Sequence, residues 1–116
     1  MINQTAWIIF SLPSILLASS IHEYAHALAA TKLGDNTAKF FGRLTLNPLA
    51  HIDPVGVIAM VLFKIGWSKP VPISTQNFKN PDLGEAIVSL AGPLSNLTLA
   101  FILGIILRFA YPVLNF

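Results

Sequence analysis

The sequence predicts an all-α integral membrane protein with about three hydrophobic helices, the second short or re-entrant. Short β-like extended segments are expected between them. Three observations point to this. Hydrophobic residues make up 54% of the 116 and charged residues only 10%, against about 25% charged in an ordinary soluble domain. Two uncharged runs, residues 1–21 and 86–107, are long enough to cross a bilayer at about 1.5 Å per residue. Prolines and glycines gather between the apolar runs, where helices must stop.

The first helix is expected over about 5–33, with Gly34 as its stop signal. Pro13 lies inside it and should kink it. The second apolar stretch is free of charge only over 54–63, below the roughly 17 residues needed to cross. Extending it to Trp67, with Lys64 snorkelling to the headgroups, permits a short or tilted crossing over about 54–67; a re-entrant segment is the alternative. The third helix is expected over about 84–109. Asp82 and Glu85 lie at its start and Arg108 at its end, as the helix dipole favours. Between them, residues 39–46 (KFFGRLTL) and 69–73 (KPVPI) read as extended. Such backbone must pack on protein, line a wet cavity or sit at the interface, because lipid offers it no hydrogen bonds.

Composition also excludes function classes. A net charge of +2, from seven basic and five acidic residues, is too small and scattered for nucleic-acid binding. There is no Cys, so any metal site must use His, Asp or Glu. The N-terminus lacks the positive region of a signal peptide. Cleavage at the nearest small-residue site, Ala18-Ser19-Ser20, would leave the chain's most telling motif at a new N-terminus. Basic residues are balanced between the two loops, three against three, so charge does not set the orientation.

That motif is HEYAH, residues 22–26. On a helix, residues i and i+4 share a face, so His22 and His26 can hold one metal ion. Glu23 is then placed to take a proton from a water activated by that metal. The plain alternative is a solvated helix end. Ala25, Ala27, Ala29 and Ala30 speak against it, because small residues let another helix approach the histidine face. Ionisable groups at membrane depth are costly and mark function.

Two further motifs have structural readings of their own. NPLAHIDPVG, residues 47–56, can be a chain of turns, or His51 and Asp53 can bring a ligand or a supporting hydrogen bond to a metal site. AGPLSN, residues 91–96, gives a kink and close helix packing. Asn96 needs a partner at membrane depth, either another helix or a substrate backbone.

Taken in order, HEYAHALAATKLGD, GRLTLNPLAHIDPVG, KPVPI and AGPLSNL resemble the site-2 protease family of intramembrane zinc metalloproteases. The resemblance covers about residues 21–108. It implies an enzyme that hydrolyses peptide bonds of membrane-embedded protein substrates, with one zinc ion, His22 and His26 as ligands and Glu23 as catalytic base. It also implies the lipid bilayer and transmembrane proteins as partners, and a multi-pass place in a prokaryotic cell membrane. KFFGRLTL is the candidate substrate-holding edge, and Asn96, Asn47 and His51 are candidate substrate contacts. One departure stands out. The family's third zinc ligand is an Asp in a Leu-Asp-Gly motif on a later helix, and this sequence has no such motif. The expectation is one membrane-embedded domain over 1–116, truncated at the C-terminus, with Asp53 or His51 as the least implausible substitute ligand. The competing readings are an inactive homologue that grips transmembrane segments, and a metal transporter. Transporters usually carry internal repeats, and none is visible here.

Overall fold

A computed structural model describes residues 3–114. Four α-helices and two single 3-10 turns follow one another along the chain. Helix α1 spans Gln4–Lys32, α2 Thr37–Phe40, α3 Pro54–Phe63 and α4 Pro81–Leu114. The 3-10 turns are Pro48–Ala50 and Thr75–Asn77. Helices α1 and α4 are each long and apolar enough to cross a membrane.

The helix boundaries follow local chemistry. Asn3 caps α1 by accepting from Ala6 N–H at 2.8 Å. Asp53 caps α3 by accepting from Val55 N–H at 3.0 Å, with Pro54 at the first helical position. Asn80 caps α4 by accepting from Leu83 N–H at 3.1 Å, again just before a proline. A cap side chain satisfies one of the orphan amides, and proline has none to satisfy. At the other end of α1, Gly34 takes φ +103°. There Asp35 N–H donates to Ala30 O at 2.9 Å and Gly34 N–H to Thr31 O at 3.2 Å. This is a Schellman ending, which needs the left-handed residue that glycine supplies most cheaply. Gly42, at φ +71°, closes α2 with the same bond pattern.

Helices α1 and α4 pack antiparallel, Ala30 beside Val88 and His22 beside Asn96. On α4, Gly84, Val88 and Gly92 are buried four residues apart. On α1 the facing positions include Ala27 and Ala30, both fully buried. Small residues on both sides let the backbones approach. Elsewhere α4 is bare: Leu97, Phe101 and Phe109 are each more than two-thirds exposed.

Several expectations need correction. Residues 39–46 are not extended, since Lys39 and Phe40 finish α2 and no strand forms among the described residues. The cause is local. Asp35 accepts from Thr37 N–H at 3.1 Å, which starts a helical turn, and Gly42 ends it. The only β-type pairing described is an isolated antiparallel bridge between Ile52 and Ser68. Helix α3 stops at Phe63 rather than Trp67, because Lys64 adopts the left-handed conformation at φ +59°. The chain then doubles back along α3. Gly66 and Gly56 lie so close that a Cβ on Gly66 would stand 2.8 Å from Gly56 O. Helix α4 starts at Pro81 and runs on to Leu114, beyond Arg108.

Candidate metal centre

The two histidines of HEYAH come together one turn apart on α1. His22 Nε2 and His26 Nε2 are 3.0 Å apart and the rings meet edge to face. Two imidazoles on one tetrahedral ion with bonds of about 2.0–2.1 Å would have nitrogens about 3.3 Å apart, so the pair is close to that spacing. The other ring nitrogens are held by α4. His26 Nδ1–H donates to Val88 O at 2.6 Å, which leaves the Nε2 lone pair free. His22 Nδ1 lies 3.1 Å from Asn96 Nδ2. Asn96 Oδ1 is buried without a partner. Turning that amide places Oδ1 on a His22 Nδ1–H and frees the second Nε2 as well. Supporting bonds of this kind orient metal-binding histidines and raise their basicity.

Gly92 explains how α4 comes so near. A Cβ there would stand 2.6 Å from His22 Nε2 and would overlap His26 Nε2. The space beside both nitrogens exists because position 92 has no side chain. The donor set and this cradle fit a zinc ion held by His22 and His26. The set is two of the three protein ligands that a catalytic zinc takes. No third His, Asp or Glu joins the pair among the described residues.

Glu23 follows His22 on α1 and is buried. Its Oε1 accepts from Ser68 Oγ at 2.8 Å. Glu23, His22 and Asn96 line a cavity of about 350 Å³ whose other walls include Leu16, Met60 and Trp67. Polar groups thus share a largely apolar lining, a common form of small binding site.

Three other candidate residues are engaged elsewhere. Asp53 caps α3 and accepts from Trp67 Nε1–H at 2.8 Å, and it is not near the imidazole pair. The Trp67 hydrogen bond holds its carboxyl below the usual range. His51 is buried, with Nε2–H donating to Thr45 O at 2.7 Å and Nδ1 accepting from Arg43 Nη2 at 3.3 Å. Both of its ring nitrogens are occupied, so it has no lone pair left for a metal. Asn47 is exposed and caps the first 3-10 turn through Leu49 N–H at 3.1 Å. Sequence reasoning missed Ser68 and the Val88 carbonyl, which carry no local motif signal, and gave no role to Arg43, although it lies in the GRLTLNPLAHIDPVG stretch. Gly92 was visible, but only as a packing residue.

With this geometry in view, comparison with known proteins becomes informative. The chain is 49% identical over 89 residues to "Putative zinc metalloprotease YwhC" of Bacillus subtilis, a match covering 77% of this chain and 41% of that protein. It is 36% identical over 93 residues to "Putative zinc metalloprotease Rip2" of Mycolicibacterium smegmatis, covering 76% and 36%. Rip2 of Mycobacterium tuberculosis matches at 30% over 92 residues, covering 76% and 36%. The chain is a homologue of proteins named as zinc metalloproteases. It spans about two fifths of the length of these curated relatives. No family model matches the chain, and no solved structure does.

Proposed function

We propose that this chain carries the zinc-binding and proton-transfer half of an intramembrane endopeptidase of the site-2 protease type. One observation supports this above the others: two imidazole Nε2 atoms at 3.0 Å on a membrane-length helix, facing Gly92, with Glu23 beside them. The homologues' names agree with it. Such a protein would act on peptide bonds of membrane-embedded proteins, in a multi-pass bacterial membrane setting.

His22 and His26 would hold the metal. Zinc held there would supply a lowered pKa for a water, bringing it near neutrality, and polarisation of a carbonyl. The protein's own share is then distinct. Glu23 accepts the water's proton and returns it to the leaving amine. Val88 and Asn96 keep both rings in the metal-binding orientation. The apolar walls of the cavity limit water around the reacting groups and strengthen each charge interaction. A catalytic zinc takes a third protein ligand, and no third His, Asp or Glu joins the pair among the described residues.

Zinc analysis of the detergent-purified chain tests the reading. Close to one ion per chain, lost in the His22→Ala, His26→Ala double variant, is the expected outcome. Glu23→Gln should then retain zinc while lowering peptide cleavage about 10²- to 10⁴-fold. Zinc no higher than in the double variant would sink the assignment for this chain.

A further inference from the structure

Arg43 is a buried cation whose two terminal nitrogens bond main-chain carbonyls and His51 Nδ1, while its Nε is buried without a partner. Only 7% exposed, it donates from Nη2 to Lys69 O at 2.5 Å and from Nη1 to Pro70 O at 3.0 Å. Burying a charge is expensive unless its hydrogen bonds are made, so this arrangement calls for a reason. The same short stretch, residues 67–70, is gripped from other sides. Lys69 N–H donates to His51 O at 2.8 Å. His51 is itself held by Arg43 and by Thr45 O. Trp67 Nε1–H donates to Asp53 Oδ2 at 2.8 Å. Ser68 pairs with Ile52 in the one bridge described. Trp67, Lys69 and Pro70 are thus pinned by Asp53, His51 and Arg43, and Ser68 between them is paired with Ile52. Of their side chains, Ser68 bonds the centre directly: its Oγ–H donates to Glu23 Oε1 at 2.8 Å.

We propose that Ser68 is the positioning residue for the Glu23 carboxylate, and that Arg43, His51 and Asp53 form the clamp that fixes Ser68. This rests on the reading of Glu23 as the general base. A glutamate has three side-chain torsions, and a proton acceptor works only when its oxygen lies within hydrogen-bond reach of the proton. A hydroxyl bond to an ionised oxygen is among the stronger hydrogen bonds. Donated from a pinned backbone, it holds Oε1 and leaves Oε2 to face the reacting water. The clamp explains why His51 and Asp53 sit in so marked a motif while neither joins the histidine pair.

The chain contains two glutamates, Glu23 and Glu85. Labelling glutamate Cδ with carbon-13 therefore gives two side-chain carboxyl resonances, and Glu23→Gln assigns them. In Ser68→Ala the Glu23 resonance should move while that of Glu85 stays. Ser68→Thr keeps the hydroxyl and should restore it. Trp67→Phe, which frees Asp53 but keeps a ring, should move the Glu23 resonance by a smaller amount in the same direction. In the zinc-loaded protein, Ser68→Ala should lower kcat about tenfold with KM and zinc content unchanged, a fraction of the general-base contribution. Ser68→Thr should recover most of that loss. An unmoved Glu23 resonance in Ser68→Ala, or no recovery with Thr, overturns the proposal. A responsive resonance in a zinc-loaded wild-type chain that cleaves nothing supports the contact and overturns the protease reading instead.

Discussion

Gly92 and Asp35 show how single residues shape this molecule by opposite means. Gly92 acts by lacking a side chain. Gly92→Ala would push a methyl group against both histidine nitrogens, so zinc affinity should fall at least tenfold, in line with disturbed supporting contacts. Competition with a chromophoric chelator would measure it, and unchanged affinity would separate Gly92 from the centre. Asp35 acts by accepting. It is fully buried at the end of α1, and takes bonds from Ser74 N–H at 2.8 Å, Asn77 Nδ2 at 3.0 Å and both Thr37 donors. Burial alone would raise its pKa, but the bonds from Thr37, Ser74 and Asn77 outweigh burial and leave it below the usual value. A lowered folded pKa means stability that is complete above the ordinary Asp value and lost as pH falls through the folded one. Asp35→Asn should therefore lower stability at neutral pH and flatten the acid limb of a melting-temperature profile. An equally steep acid limb in the variant would assign the loss to another group.

Among the elements, the helix ends are the most sensitive. Gly34 ends α1 in a left-handed conformation, and a Cβ there would stand 3.3 Å from Asn77 O. Gly34→Ala should cost about 1–2 kcal/mol, read as a lower unfolding midpoint in detergent. A change within about 0.5 kcal/mol would show that the turn re-forms without glycine. Much of this scale was legible beforehand. Gly34, Pro54 and the acidic start of α4 mark boundaries through propensities that act over three or four residues. KFFGRLTL was misread because its Phe, Leu and Thr suit a strand, while Asp35 and Gly42 close a helical turn around its first residues. A bond from a neighbouring side chain overrode intrinsic preference.

Across the whole molecule, the path of residues 52–68 is decisive. Ten residues of α3 rise about 15 Å, half a hydrocarbon core. The segment then returns, and its ends meet in the Ile52–Ser68 bridge. A hairpin of this length is the path that the re-entrant alternative requires. With α1 and α4 antiparallel, Asn36 and Lys79 should face one side of a membrane and Asn3 the other. The sequence has no cysteine, so Asn36→Cys, Lys79→Cys and Asn3→Cys can be labelled singly in sealed vesicles with an impermeant maleimide. Shared access of the first two, opposite to the third, is expected. Opposite access of Asn36 and Lys79 would restore a third crossing.

The sequence by itself determined the two long apolar helices, their stop signals and the pairing of His22 with His26. Each of these depends on hydropathy or on spacing within one helix, and both are local. Tertiary structure alone decided which groups surround that pair. Val88, Gly92 and Asn96 meet the histidines only because α4 packs back along α1. Ser68 meets Glu23 across 45 residues of chain. Contacts of that range depend on how whole elements dock, and no local pattern of residues encodes them.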